Sequence, residues 1–172
     1  MHGIKFTLLF VIIIGSVVGC GKQESNGIPS SINNITEQNK VAITEAIKER
    51  VSGYADAVKR RDADWLLNFW SNEKDFAMAG DGELTGDYES GIAKPTRDFI
   101  SGIKSVLHFK FSDGHTYVIN ENAVSYATNF DWGIVLWSGD TVKSKGSWLY
   151  LFRKSDNGWK VVHSAGTHKN YK

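Results

Sequence analysis

The sequence predicts an α+β domain, and three observations carry that prediction. Apolar residues recur at helical spacing through the first part of the domain. β-branched and aromatic runs, separated by turn-forming clusters, fill the remainder. A polar, glycine- and serine-containing segment separates both from an apolar N-terminal stretch. Helices followed by strands with short connections build a sheet with helices on one face.

The elements follow in order. In the N-terminal stretch, Lys5 precedes the apolar run Phe6 to Val18, and Cys20, the single cysteine, comes directly after Gly19. The run has the length of a signal-peptide core and is too short to span a bilayer comfortably. Val17, Val18 and Gly19 before Cys20 resemble a bacterial lipobox. The resemblance implies a lipoprotein signal peptide over residues 1–19, a lipid on Cys20, and attachment in the cell envelope. Gly21 after the cysteine favours the outer membrane or the cell surface. The alternative leaves Cys20 a free or buried thiol. Residues 20–38 read as a flexible tether, and residues 39–172 as one domain.

One cysteine excludes an intrachain disulfide framework, so stability must come from a core. Removing residues 1–19 takes away Lys5 and no acid, which leaves basic and acidic residues equal in number. Bulk charge therefore offers nothing to nucleic acid.

Within the domain, Ile43, Ile47, Val51, Tyr54 and Val58 form one helical stripe between Asn39 and Asp62. Asp62 can cap a short second helix carrying Trp65, Leu66, Phe69 and Trp70. The stretch "DFAMAGDGELTGDY" reads as two short strands about a turn at Gly80, Asp81 and Gly82. Residues 89–94 read as irregular, and Pro95 belongs in the first turn of a third helix. Five strands are then expected in "SVLHFKF", "HTYVI", "AVSYATNFDWGIVLW", "KGSWLYLFRK" and "GWKVVHSAG".

With "RRDADWLLNFWSNEKDFAMAGDGELTG" at the front and "GSWLYLFRKSDNGWKVVHSAGTH" at the back, the chain resembles the nuclear-transport-factor-2-like superfamily. The nearest branches are the SnoaL-like and ketosteroid-isomerase-like ones. The resemblance implies a cone, in which a curved antiparallel sheet and about three N-terminal helices on its concave face enclose a cavity. In the ketosteroid isomerase branch, a first-helix tyrosine donates to a developing oxyanion while a carboxylate near the first strands moves the proton. "YADAVKRRD" places Tyr54 at the tyrosine's position. "DFAMAGD" places Ala79 or Gly80 where the carboxylate belongs, and Asp81 reaches that place only if the register slips. Tyr54 is thus an oxyanion donor or an ordinary core tyrosine.

Strand alternation adds further candidates. Asn129, Asp131, Gly133, Val135 and Trp137 share one face, opposite Phe130, Trp132, Ile134 and Leu136. Asp131 either lines the cavity, where desolvation raises its pKa, or is a surface aspartate. In an unbroken last strand His163 shares a face with Trp159 and Val161, while His168 falls on the opposite face unless Gly166 bulges. His163 is then either a cavity group or a hydrogen-bonded core histidine. Ser164 points away from it, so the pair makes no nucleophilic dyad.

No HExxH, CxxC or EF-hand spacing occurs, and the histidines supply no convergent set, so neither a metal nor a cofactor is expected. Six tryptophans in one small domain point to an aromatic-lined cavity or a dimer face. The expected ligand contacts are Tyr54, Trp70, Asp131, Trp137, Trp148 and His163. The expected function is binding of a small apolar or amphipathic molecule by a lipid-anchored domain, without catalysis. One alternative is an isomerase, cyclase or dehydratase with Asp131 or Asp81 as base and Tyr54 and His163 as donors. Another is an envelope module that forms a homodimer or holds a partner.

Overall fold

The computed structural model describes residues 35–172, so the apolar stretch and Cys20 lie outside the described residues. Helix α1, Glu37–Arg60, begins where the Thr36 hydroxyl accepts the Asn39 N–H and ends at Arg61, whose left-handed φ of 59° closes the last turn. Helix α2, Ala63–Phe69, is capped by Asp62, whose side chain accepts the Trp65 N–H at 3.0 Å. Strands β1, Ala77–Gly80, and β2, Glu83–Thr85, form a hairpin. Both turn residues have positive φ, 52° at Asp81 and 93° at Gly82, which is the twist that a two-residue hairpin requires.

Residues 89–94, expected to be irregular, instead form a π-helical turn, Glu89–Ala93, that runs into helix α3, Lys94–Gly102. Pro95 sits in the first turn of α3, where the π turn passes into the α-helix, so its missing N–H falls at the change of helical register. Four long strands follow: β3, Ile103–Asn120; β4, Ala123–Leu136; β5, Thr141–Ser155; and β6, Gly158–Tyr171. The strand order is β2-β1-β6-β5-β4-β3.

Two expectations change here. "SVLHFKF" and "HTYVI" are one strand, because Ser112 pairs with Asn129 and His115 with Ala127, leaving one extra residue on β3. The "SDG" cluster is therefore a bulge, with Asp113 at φ 53°. The sheet is also mixed, since β1 pairs with β6 in parallel while the other pairings are antiparallel. A parallel pair needs a long crossover, and β2 through β5 provide it.

The core lies between the helices and one face of this sheet. Ile47 and Val51 of α1 and Phe69 of α2 pack on Val124, Tyr126, Tyr150, Phe152 and Val161. A second cluster joins Val58, Leu66, Ile100, Phe109 and Ile134. Phe69 is fully buried and meets Tyr54, Trp70, Tyr150 and Phe152 edge-on. Such contacts stabilise beyond area burial by about 1 kcal/mol per pair.

Candidate ligand cavity

A cavity of about 320 Å³ opens between the helices and the inner sheet face. Its walls come from every layer of the fold: Tyr54 from α1, Phe99 from α3, Phe109 and Phe111 from β3, and Phe130 and Trp132 from β4. Trp70, Trp148 and Tyr150 add three more rings. Trp148 lies parallel to Tyr150, with centroids 6.1 Å apart and an interplanar angle of 15°. Gly166 allows this pose, because a Cβ there would stand 2.3 Å from the indole.

The polar groups in this setting are few. Burial pushes the Tyr54 phenol up to about 12. Tyr150 is raised well above its ordinary value, first by burial and then by the neighbouring phenols of Tyr54 and Tyr126. No hydrogen bond contributes to either shift, and among the described residues neither hydroxyl has a protein partner. Both phenols are thus neutral donors on the cavity wall, free to donate to an oxygen that fills it.

Asp81 and His168 line the same cavity. The Asp81 carboxylate accepts the backbone N–H of His168 at 2.8 Å and meets the ring Nδ1 at 2.8 Å. The backbone N–H contributes most to holding the Asp81 pKa below the usual carboxylate value, and the imidazole adds to it. An ionised carboxylate only accepts, so Nδ1 carries a proton and Nε2 is the ring nitrogen left free of Asp81. The imidazole packs against Phe130, with centroids 5.0 Å apart, and Trp148, at 5.2 Å.

No protein-family model matches the chain, and no curated protein sequence does. Solved structures do match. A candidate scytalone dehydratase from Novosphingobium aromaticivorans superposes with a TM-score of 0.68 at 10% identity, over 78% of this chain and 89% of the other. A hexachlorocyclohexane dehydrochlorinase, LinA Type2, superposes with a TM-score of 0.60 at 12% identity, over 80% and 94%. A nuclear transport factor 2 superfamily protein from Salmonella enterica reaches 0.59 at 18% identity, over 77% and 92%. The chain has the nuclear-transport-factor-2-like fold. At these identities the likeness is one of fold alone.

Within this nuclear-transport-factor-2-like domain the sequence candidates divide. Tyr54, Asp81, Trp70 and Trp148 line the cavity together. Asp131, Trp137 and His163 lie outside it. Asp131 is on the outer sheet face, where it accepts hydrogen bonds from Tyr171 at 2.5 Å and pairs with His108 at 2.8 Å. The Tyr171 hydroxyl, followed by His108, holds the Asp131 pKa down, the opposite of the rise expected for a cavity acid. Strand alternation did separate Asp131 from Phe130 and Trp132, but the cavity face is the aromatic one.

Trp137 is 65% exposed at the β4–β5 turn, where its indole N–H donates to the Ser101 carbonyl. His163 is exposed, and its Nε2 donates to the Asp75 backbone carbonyl at 2.7 Å. The cause is a bulge on β6. Leu151 pairs with His163 but Phe152 pairs with Val161, so Val162 is an extra residue. Val161 stays in the core, His163 turns outward, and His168 comes to the inner face. Among the described residues no three His, Cys, Asp or Glu side chains converge on a metal position.

Sequence reasoning therefore missed His168, Tyr150 and Phe130. Phe130 was within reach of the alternation already applied to β4, and Tyr150 within reach of the same alternation along β5. His168 was not, because nothing local marks Val162 as the residue that breaks the alternation.

Proposed function

We propose that this is an exported, lipid-anchored protein whose cavity binds a small, mostly apolar cyclic molecule carrying at least one acceptor oxygen. The observation that carries the reading is the pair of phenols on the cavity wall, Tyr54 half-buried and Tyr150 buried, which have no protein partner among the described residues. A ligand carbonyl or ether that accepts from one of these hydroxyls gains about 1 kcal/mol net per hydrogen bond. Rings supply the apolar complement to the tryptophan and phenylalanine walls, and the volume limits the ligand to a few fused rings.

Thermal-shift screening with cyclic ketones tests this reading. A ligand present at a hundred times its Kd stabilises by about 2.7 kcal/mol. Absence of any stabilisation across bicyclic and tricyclic ketones overturns the binding reading. Membrane attachment is tested separately, by intact-mass measurement of the protein from membranes, with Cys20→Ala as the control that loses both the lipid and the membrane fraction.

A second reading is favoured by one observation, the Asp81–His168 pair on the cavity wall. With Nδ1 bound to Asp81, Nε2 can take a proton from a carbon acid, while Tyr54 or Tyr150 stabilises the oxygen that gains charge. The required groups are then a base oriented by a carboxylate and a neutral donor across an apolar site. That set suits the dehydratase- or isomerase-type alternative, and two fold neighbours bear the names of a dehydratase and a dehydrochlorinase. Solvent-deuterium exchange into a bound cyclic ketone, lost in His168→Gln, is the expected sign. Binding without exchange restricts the protein to carriage.

A further inference from the structure

The outer face of the sheet holds a feature that the cavity does not use. Lys110, Asp131, Lys145 and Lys169 pair across β3, β4, β5 and β6, so their side chains stand in one row. The adjoining row is His108, Gly133, Lys143 and Tyr171. Four lysines and a histidine thus share one face with Asp131, and the next acid along it, Asp113, is bonded to Asn129. Asp131 is already engaged by Tyr171 and His108, and Lys110 stands 3.7 Å from it. Among the described residues Lys143, Lys145 and Lys169 have no acidic partner, and the first two stand over the Tyr171 ring at 5.9 and 5.6 Å.

This concentration of positive charge occurs in a chain of nearly zero net charge. At the strand end beyond the Gly133–Lys143 pair, the β4–β5 turn presents Trp137, 65% exposed and held by its bond to Ser101 at the end of α3, with Asp140 in the same turn tied to Ser138. A lysine row ending in an exposed, oriented tryptophan has the composition of a bilayer contact. Lysine stems lie along the interface with their ammonium groups at the phosphates, and an indole seats at headgroup depth. A duplex or an acidic protein would use the lysines but gives no role to a fixed exposed indole.

We infer that this face, Lys110, Lys143, Lys145 and Lys169 with Trp137, lies against an anionic phospholipid bilayer. The contact deepens the anchored reading above and sets how the domain stands: outer face down, cavity toward the aqueous side. The lipid would hold the chain at the membrane, and the basic face would add electrostatic attraction that orients the domain on it.

The test uses the full chain from membranes, mixed with vesicles of phosphatidylglycerol and phosphatidylcholine or of phosphatidylcholine alone. Lysines are acylated with an amine-reactive ester and read by peptide mass spectrometry. On anionic vesicles Lys110, Lys143, Lys145 and Lys169 are expected to lose most of their reactivity and regain it at high salt, while Lys59 and Lys94 on the helices stay unchanged. Replacing all four by Gln should lower the partition onto anionic vesicles by roughly a hundredfold or more, and Trp137→Ala several-fold, with cavity binding of cyclic ketones unaltered. Equal reactivity on both vesicle types, or a chain that binds neither, overturns the contact. A chain that attaches without the footprint keeps the anchor and loses the contact. A footprint on a chain whose Cys20 carries no lipid keeps the contact and loses the anchor.

Discussion

Replacing Tyr54 or Tyr150 by Phe removes a hydroxyl and leaves the ring. The Tyr54 ring keeps its packing on Phe69 at 4.8 Å and on Phe109 and Phe111 at about 6 Å. A buried hydroxyl paired within the protein contributes about 1 kcal/mol net, and its loss costs that amount. At Tyr54 and Tyr150 there is no protein partner to lose, because both hydroxyls line the cavity. Each variant of the ligand-free protein is therefore expected to stay within about 0.5 kcal/mol of wild type. Tyr88 is the internal control, because its hydroxyl donates to the Leu67 carbonyl at 3.1 Å. Tyr88→Phe should lose about 1 kcal/mol. Urea unfolding at constant m-value reads all three as midpoint shifts. If Tyr54→Phe and Tyr150→Phe lose as much as Tyr88→Phe, the phenols are structural and the reasoning fails.

Gly166→Ala drives a methyl into the Trp148 indole at 2.3 Å and is expected to cost about 1–3 kcal/mol, with loss of ligand binding; a thermal melt that matches wild type contradicts the placement of Trp148. The Tyr54 pKa lies near 12 in the folded protein and near 10 in the unfolded chain. Its contribution is therefore fully present below pH 10, and stability falls as pH rises from 10 toward 12; denaturant midpoints across that range should fall more steeply in wild type than in Tyr54→Phe. The depressed Asp81 pKa acts at the other end, giving stability that is present above the unfolded carboxylate value and lost as pH falls through the folded one. Asp81→Asn should flatten the acid limb of the melting curve. His163→Ala, outside the cavity, should leave ketone binding unchanged, and a tenfold loss would return His163 to the site.

The parts of this fold legible in the sequence are those set by local chemistry. Thr36 and Asp62 cap the helices, the Asp81–Gly82 turn makes the hairpin, and the stripe through Ile47, Val51 and Tyr54 faces the sheet. Each depends on residues within one or two turns of the chain. The site was legible only in part, because it depends on register. Alternation placed Asp131 opposite Phe130 and Trp132 correctly, but which face looks inward is decided by where α1 and α3 pack. On β6 a single extra residue, Val162, reverses the alternation, so His168 replaces His163 at the cavity. The "SDG" cluster likewise carries turn residues that the sheet uses for a bulge, since both halves of β3 already have β4 as partner.

The central claim is that Tyr54 and Tyr150 receive an acceptor oxygen in an otherwise apolar cavity. Calorimetric titration with 1-tetralone and with tetralin, the same bicycle without the carbonyl, tests it most directly when wild type is compared with the Tyr54→Phe/Tyr150→Phe double variant. Wild type should prefer the ketone by about tenfold, an amount equal to one or two neutral hydrogen bonds. The double variant should bind both bicycles alike. A wild type that binds neither, or a ketone preference that survives loss of both hydroxyls, would contradict the account.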